Sequence, residues 1–224
     1  MPSPWFKPAL FHFLAELGAN NNREWFQENK ARYEAEVRDP LLAFIQAFAG
    51  PLAGISRQVL ADPRPSGGSM FRIYRDTRFA HDKSPYKTNV GAQFRHVLCS
   101  RDVHAPGFYL HLEPGGCFTS AGLWHPDPAA LKRVRDQIVA HPRAWKGIRA
   151  AGLDVRGEAL VRVPPGFDPT HPLAEDLKLK DFYTTVPFTQ HQVCAGDFLT
   201  TFTEQCARNV PLMKFLTKAL DLPW

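Results

Sequence analysis

Over the first fifty positions apolar residues recur at helical spacing. Leu10–Leu17 is an apolar run closed by Gly18, a natural helix stop, and Asn20, Asn21 and Asn22 then offer side-chain oxygens to cap a second helix. Asn21 followed three residues later by Glu24 has the form of a capping box, with Asn in place of Ser or Thr. The spacing predicts a helix from there that carries Trp25, Phe26, Asn29, Tyr33 and Val37, a break near Asp39-Pro40, and a further helix through Ala49. The period then changes. Residues 61–69, ADPRPSGGS, are loop by composition, after which Phe71–Asp76, Ala92–Leu98 and Phe108–Glu113 alternate as strands do. Gly115-Gly116 turns the chain into Cys117–Trp124, so residues 108–124 are expected to form a hairpin.

Helical patterning returns at Pro128–Ala140, with Leu131, Val134 and Ile138 on one side and Lys132, Arg133, Arg135 and Asp136 mostly on the other, and again at Pro142–Ala151. Leu160–Val163 reads as a brief strand, and the following PPGFDPTHPLAEDLKLKDFY as a segment wrapping the surface. Asp197–Leu220 reads as helix, with a new segment starting at Pro211. Helices, then an antiparallel sheet, then helices is the order of an α+β domain, here a single one over residues 1–224 with N-terminal and C-terminal helices packed on the sheet. The absence of βαβ alternation and of a glycine-rich phosphate loop excludes a doubly wound nucleotide fold.

Charge sharpens this picture in one place. Between Met70 and Arg95 six cations, Arg72, Arg75, Arg78, Lys83, Lys87 and Arg95, face two acids, Asp76 and Asp82, so nearly all of the chain's formal +5 sits there. Such a segment is either a site for an anion or a buried ion-pair network. Elsewhere the composition, 44% hydrophobic and 22% charged, is that of an ordinary folded protein. No apolar run is long enough to span a membrane, and the opening MPSPWFKPALFHFL lacks a charged leader and cleavage site. Cys99, Cys117, Cys194 and Cys206 lie far apart with no CxxC pair, so free thiols and a cytoplasmic location are expected.

Alternation puts Arg72, Tyr74 and Asp76 on one strand face, joined by Gln93 and Arg95 and by Tyr109, His111 and Glu113; Phe71, Ile73, Phe94, Phe108, Leu110 and Leu112 take the opposite, core face. The polar face can line a pocket in which Arg72 and Arg95 hold an anion while Asp76, His111 or Glu113 moves a proton. It can equally be covered by the N-terminal helices through Arg23, Glu24, Gln27 and Lys30. In the loop Thr77–Asn89, Arg78, Lys83 and Lys87 can meet phosphate oxygens and Tyr86 can stack on a ring, with Arg75 alongside; the bland alternative is that Asp76 and Asp82 pair with these cations to pin the loop. His111-x-Glu113 has neither an HExxH motif nor an Asp/His cluster behind it, so no metal site is expected, and the residues name no cofactor.

The segments NNNREWFQENKARYE, FRIYRDTRFAHDKSPYKTN, HAPGFYLHLEPGG with the following AGLWHPDP, and VRVPPGFDPTHPLAEDLKLKDFY resemble a widespread bacterial and fungal family classed as domain of unknown function 2461, in order from about Phe11 to Leu220. The resemblance implies an α+β protein and brings no activity, cofactor or catalytic residue with it. Its hallmark is the element carrying Arg72, Arg75, Asp76, Arg78, Phe79, Asp82, Lys83, Pro85, Tyr86 and Lys87; Ala80-His81 departs from the Ser-Lys pair more typical there, so His81 is given no special role. Three functions remain open: a small anionic ligand bearing phosphate or carboxylate, bound or chemically changed at the basic-aromatic segment; a nucleic-acid-associated module; or a structural Arg–Asp network with function through a protein partner.

Overall fold

The structure, a computed structural model, describes residues 4–224 except Arg101 and Val103. Met1–Ser3, which open the segment read above as lacking a leader, lie outside the described residues. Helix α1, Pro8–Ala19, starts on a proline in its first turn, where no backbone donor is missed, and buries Leu10, Phe11, Phe13, Leu14 and Leu17. The second helix is shorter than its pattern predicts. It divides into α2, Arg23–Glu28, and α3, Lys30–Tyr33, and then a π-helical turn, Glu34–Arg38, runs without a break into α4, Asp39–Ile55. The expected break at Asp39-Pro40 is absent because Pro40 falls in the first turn of α4. The expected cap is also displaced by one residue: Asn22, not Asn21, accepts the Trp25 N–H at 2.9 Å.

Among the described residues five antiparallel strands follow one another across a single sheet: β1, Val59–Leu60; β2, Val90–His96; β3, Gly107–Leu112; β4, Cys117–Leu123; and β5, Phe182–Phe188. The hairpin between β3 and β4 is where the sequence places it, turned by Gly115 at φ 76°. Two strand expectations need correction. Leu160–Val163 forms no strand; the fifth strand is Phe182–Phe188, whose Pro187 and polar threonines obscure its alternation. Phe71–Asp76 is extended, but only its first residues touch the sheet, where Met70 bridges Ala92 and the Phe71 N–H donates to the Gly91 carbonyl at 2.9 Å. Residues 73–75 then pair with 85–87 through Arg75 N–H to Pro85 O, 2.9 Å, and Lys87 N–H to Ile73 O, 2.8 Å. The arm is paired, but its partner from residue 73 onward is the returning arm of the same excursion rather than the sheet.

Helices α5, Pro128–Ala140, α6, Pro142–Ala150, α7, Ala174–Leu177, α8, Gln190–Val193, α9, Phe198–Arg208, and α10, Val210–Ala219, complete the α+β fold. The apolar sheet face carries Phe94, Phe108, Leu110 and Leu112 against α1, α4 and α9, where Phe48 meets Phe94 and Phe202 at 4.8 Å each. A second cluster gathers Leu123 and Phe182 with Val134, Trp145, Leu212 and Leu216. Arg135, expected on the polar side of its helix, is buried instead and donates to the carbonyls of Leu177 and Leu179 at 2.8 and 2.9 Å. With the N-terminal and C-terminal helices packed on one face, no helix among the described residues covers the opposite face of the sheet, contrary to the alternative in which Arg23, Glu24, Gln27 and Lys30 close it; all four are exposed.

Candidate functional site

Strand register writes the open face as three rows. Gly91, His111, Phe118 and Pro187 form the first, Gln93, Tyr109, Ser120 and Thr185 the second, and Arg95, Gly107, Gly122 and Tyr183 the third. Ser120 in the second row and Gly107 and Gly122 in the middle of the third leave the floor bare, while Phe71, Phe118, Trp124 and Tyr183 rise around it; the result is a trough of about 510 Å³. Gly122 is indispensable to that floor. Its φ of 137° belongs to glycine, and a Cβ there would stand 2.1 Å from the Phe182 carbonyl oxygen.

A second cavity of about 450 Å³ adjoins the trough and shares Phe71, Tyr109 and His111 with it. Its other walls come from the two arms of the excursion: Arg72, Arg75 and Asp76 from the outgoing arm, Lys87 and Asn89 from the return. The basic segment and the polar sheet face therefore converge in one cleft. What fixes the return arm is Asn21, whose Nδ2 donates to the Tyr86 carbonyl at 2.9 Å while its Oδ1 accepts the Tyr86 N–H at 3.1 Å. The side chain thus imitates a strand partner for Tyr86, and the Tyr86 ring stacks on Phe26 with centroids 4.0 Å apart.

Charge in the cleft is not balanced. Arg75 pairs with Asp82, and Arg78 pairs with Asp76 at 2.7 Å, so both acids of the segment are taken. Hydrogen bonds from Arg78 hold Asp76 down at about 2, and bonds from Ser84 and then Arg75 hold Asp82 well below the usual carboxylate range. Among the described residues, the side chains of Arg72 and Lys87 have no hydrogen-bond or ion-pair partner. Lys87 is half-buried beside the Phe71 ring, 5.4 Å from its centroid, and burial, followed by the Arg72 charge, lowers it from the ordinary lysine range. An anion placed between Arg72 and Lys87 relieves both their mutual repulsion and the cost of burying Lys87.

Beside these cations three side chains on the open face of β3 and its end form a hydrogen-bonded chain. Tyr109 Oη lies 2.9 Å from His111 Nδ1, and His111 Nε2 lies 3.1 Å from Glu113 Oε2. A carboxylate at Glu113 selects the tautomer with its proton on Nε2, which leaves Nδ1 to accept from the Tyr109 hydroxyl. Burial, then the Glu113 charge, pushes Tyr109 up to about 12, so the phenol is the resting form. Gly91 makes the chain possible: a Cβ there would stand 2.6 Å from the Tyr109 hydroxyl oxygen. His111 also stacks on Phe118, centroids 4.5 Å apart.

Of the residues the sequence nominates, Arg72, Arg75, Asp76, Lys87, Tyr109 and His111 line the cleft, and Glu113 stands behind His111. The remainder lie outside it. Arg95 reaches the neighbouring depression by Leu60 and Arg64 and donates to the Ser100 carbonyl at 2.8 Å, with Phe71 6.0 Å away. Lys83 donates to the Thr77 carbonyl at 3.0 Å within the loop, and Arg78 sits out by the exposed Phe79. Tyr86 is buried and offers no free ring face; Tyr74 turns from the cleft toward Phe26 and Tyr86, at 6.2 and 5.4 Å. Phe71 is corrected in the other direction. Assigned to the core face by alternation, it stands on the open face, in both cavities, edge-on to Tyr109 at 5.9 Å. Phe118, Trp124 and Tyr183 were not nominated; the register of β3 with β4 carried the signal for Phe118, and Tyr183 needed recognition of β5.

An α+β protein with an antiparallel sheet whose uncovered face joins a basic cleft is what these observations define. A family model described as a conserved hypothetical protein (DUF2461) matches residues 9–215, and the chain belongs to that family. No curated protein matches the chain. Among the described residues no helix is long and apolar enough to cross a membrane.

Proposed function

We propose that the cleft binds a small ligand bearing a phosphate or carboxylate group, with Arg72 and Lys87 as its principal anion contacts and the Tyr109–His111–Glu113 chain as the group able to move a proton at the bound ligand. The observation that carries this reading is a pair of cations in a concave site, one of them half-buried, that among the described residues have no hydrogen-bond or ion-pair partner, while Asp76 and Asp82 are already engaged. A long nucleic-acid track is favoured less, because Arg75 and Arg78 are neutralised by acids of their own segment. Those two pairs support a structural reading for the loop itself, but Arg72 and Lys87 stand outside it. Four free cysteines support a cytoplasmic location.

The test is a thermal-shift panel of inorganic phosphate, sugar phosphates, nucleotides and carboxylates on the wild-type protein and on Arg72→Ala and Lys87→Ala. Anionic members will raise the melting temperature of the wild type. Each variant will lose that rise while melting, without ligand, within about 0.5 kcal/mol of the parent, as substitution of an unpaired cation implies. No shift from any member at millimolar concentration contradicts the proposal, as does a loss of ligand response matched by an equal loss of intrinsic stability.

A further inference from the structure

The trough beside the cleft has chemistry of its own. Among the described residues that line it there is no lysine, arginine or carboxylate; its walls are Phe71, Phe118, Trp124 and Tyr183. The hydroxyls of Ser120 and Thr185 on its floor are bonded to each other at 3.0 Å, which uses one of their two O–H donors. Its volume of about 510 Å³ is that of a small-molecule pocket. It opens into the basic cleft over a wall common to both, made by Phe71, Tyr109 and His111. Trp124 at the rim is more than half exposed, at 56%, with His125 tilted against it at 4.2 Å, so part of its indole is open to a ligand ring.

From these we infer that the trough receives a planar apolar body covalently attached to the anionic group held by Arg72 and Lys87, so that the ligand class is an aromatic phosphate or carboxylate rather than a sugar phosphate. The inference rests on the anion reading of the cleft and extends it to the other half of the molecule bound. Aromatic walls accept a ring edge-on or stacked, and the bare glycine floor lets it lie against the sheet. Among the described residues lining the two cavities, positive charge stands in the cleft alone, which gives the ligand its direction. Tyr109 and His111, common to both cavities, then stand at the junction between ring and anion, where a bond between the two would lie.

Calorimetric titration of the full chain with inorganic phosphate, phenyl phosphate and 1-naphthyl phosphate separates the two claims. Affinity will climb about tenfold with each ring added. Ser120→Trp, which fills the floor, and Trp124→Ala, which opens the rim, will each reduce the gain from the rings while leaving the phosphate affinity unchanged, the second variant covering failure of the first to fold. Arg72→Ala will weaken all three ligands. Equal affinity for the three in the wild type, or a naphthyl gain that survives both trough variants, overturns the trough assignment and leaves the anion site standing. Absence of binding by all three removes both. A concentration-dependent dimer that 1-naphthyl phosphate does not disperse also overturns it, because the trough then belongs to a second copy of the chain.

Discussion

Tyr109 is the residue on which the geometry of the cleft turns. Its ring lies over Gly91, its hydroxyl reaches His111, and burial raises its ionisation to about 12. Tyr33 is raised to about 12 as well, chiefly by burial. For both, the folded value exceeds the unfolded one, so between about pH 10 and about pH 12 the unfolded chain gives up the proton first and stability falls as pH rises. In a phenolate absorbance titration of the folded protein Tyr33 and Tyr109 will therefore ionise late, and Tyr109→Phe will show one fewer late-ionising phenol than the wild type. Identical titrations of the two proteins contradict the burial assigned to Tyr109. Arg72 is a residue of another kind: exposed, and without a hydrogen-bond or ion-pair partner among the described residues, it is explained by the cleft it lines.

At the level of elements, the excursion between Phe71 and Val90 is held by a side chain from a different part of the sequence. Asn21 supplies two hydrogen bonds to the backbone of Tyr86, and Asn21→Ala leaves both groups in a partly buried place without a partner. The substitution will cost about 1–3 kcal/mol in chemical denaturation and weaken anion binding, whereas Asn22→Ala, which removes only a helix cap, will cost about 1 kcal/mol and spare binding. Equal effects of the two on binding contradict the clamp. This contact also marks where sequence reasoning stops. The hairpin of β3 and β4 was legible because two glycines and strict alternation specify it locally, and α5 because Asp127 caps a clean amphipathic run. Nothing local distinguishes Asn21 as a tertiary clamp from Asn22 as a cap, and one residue separates the two roles. The extended arm at 71–76 alternates as a sheet strand does, yet its partner is fixed by the return at 85–87, a long-range choice that alternation cannot express. The fifth strand was hidden for a similar reason: its first two residues close the segment read as surface-wrapping, and Thr184, Thr185 and Pro187 give no strand signal until β4 supplies the register.

For the molecule as a whole, stability and site are separated by the sheet. One face carries the aromatic packing of α1, α4 and α9; the other carries the trough, the cleft and most of the sequence's nominated chemistry. Substitutions on the open face are for that reason expected to change binding before they change folding, with Gly122 as the exception because its backbone conformation serves both. The convergence of the two arms with the sheet face is the claim from which the rest follows. It is tested most directly by an amide proton–nitrogen NMR titration of the wild-type protein with inorganic phosphate. Saturable shifts confined to residues 71–76, 87–91 and 109–113 are the predicted result; shifts restricted to the loop tip at 77–83, or scattered without saturation over the basic surface, would contradict a single anion site in the cleft.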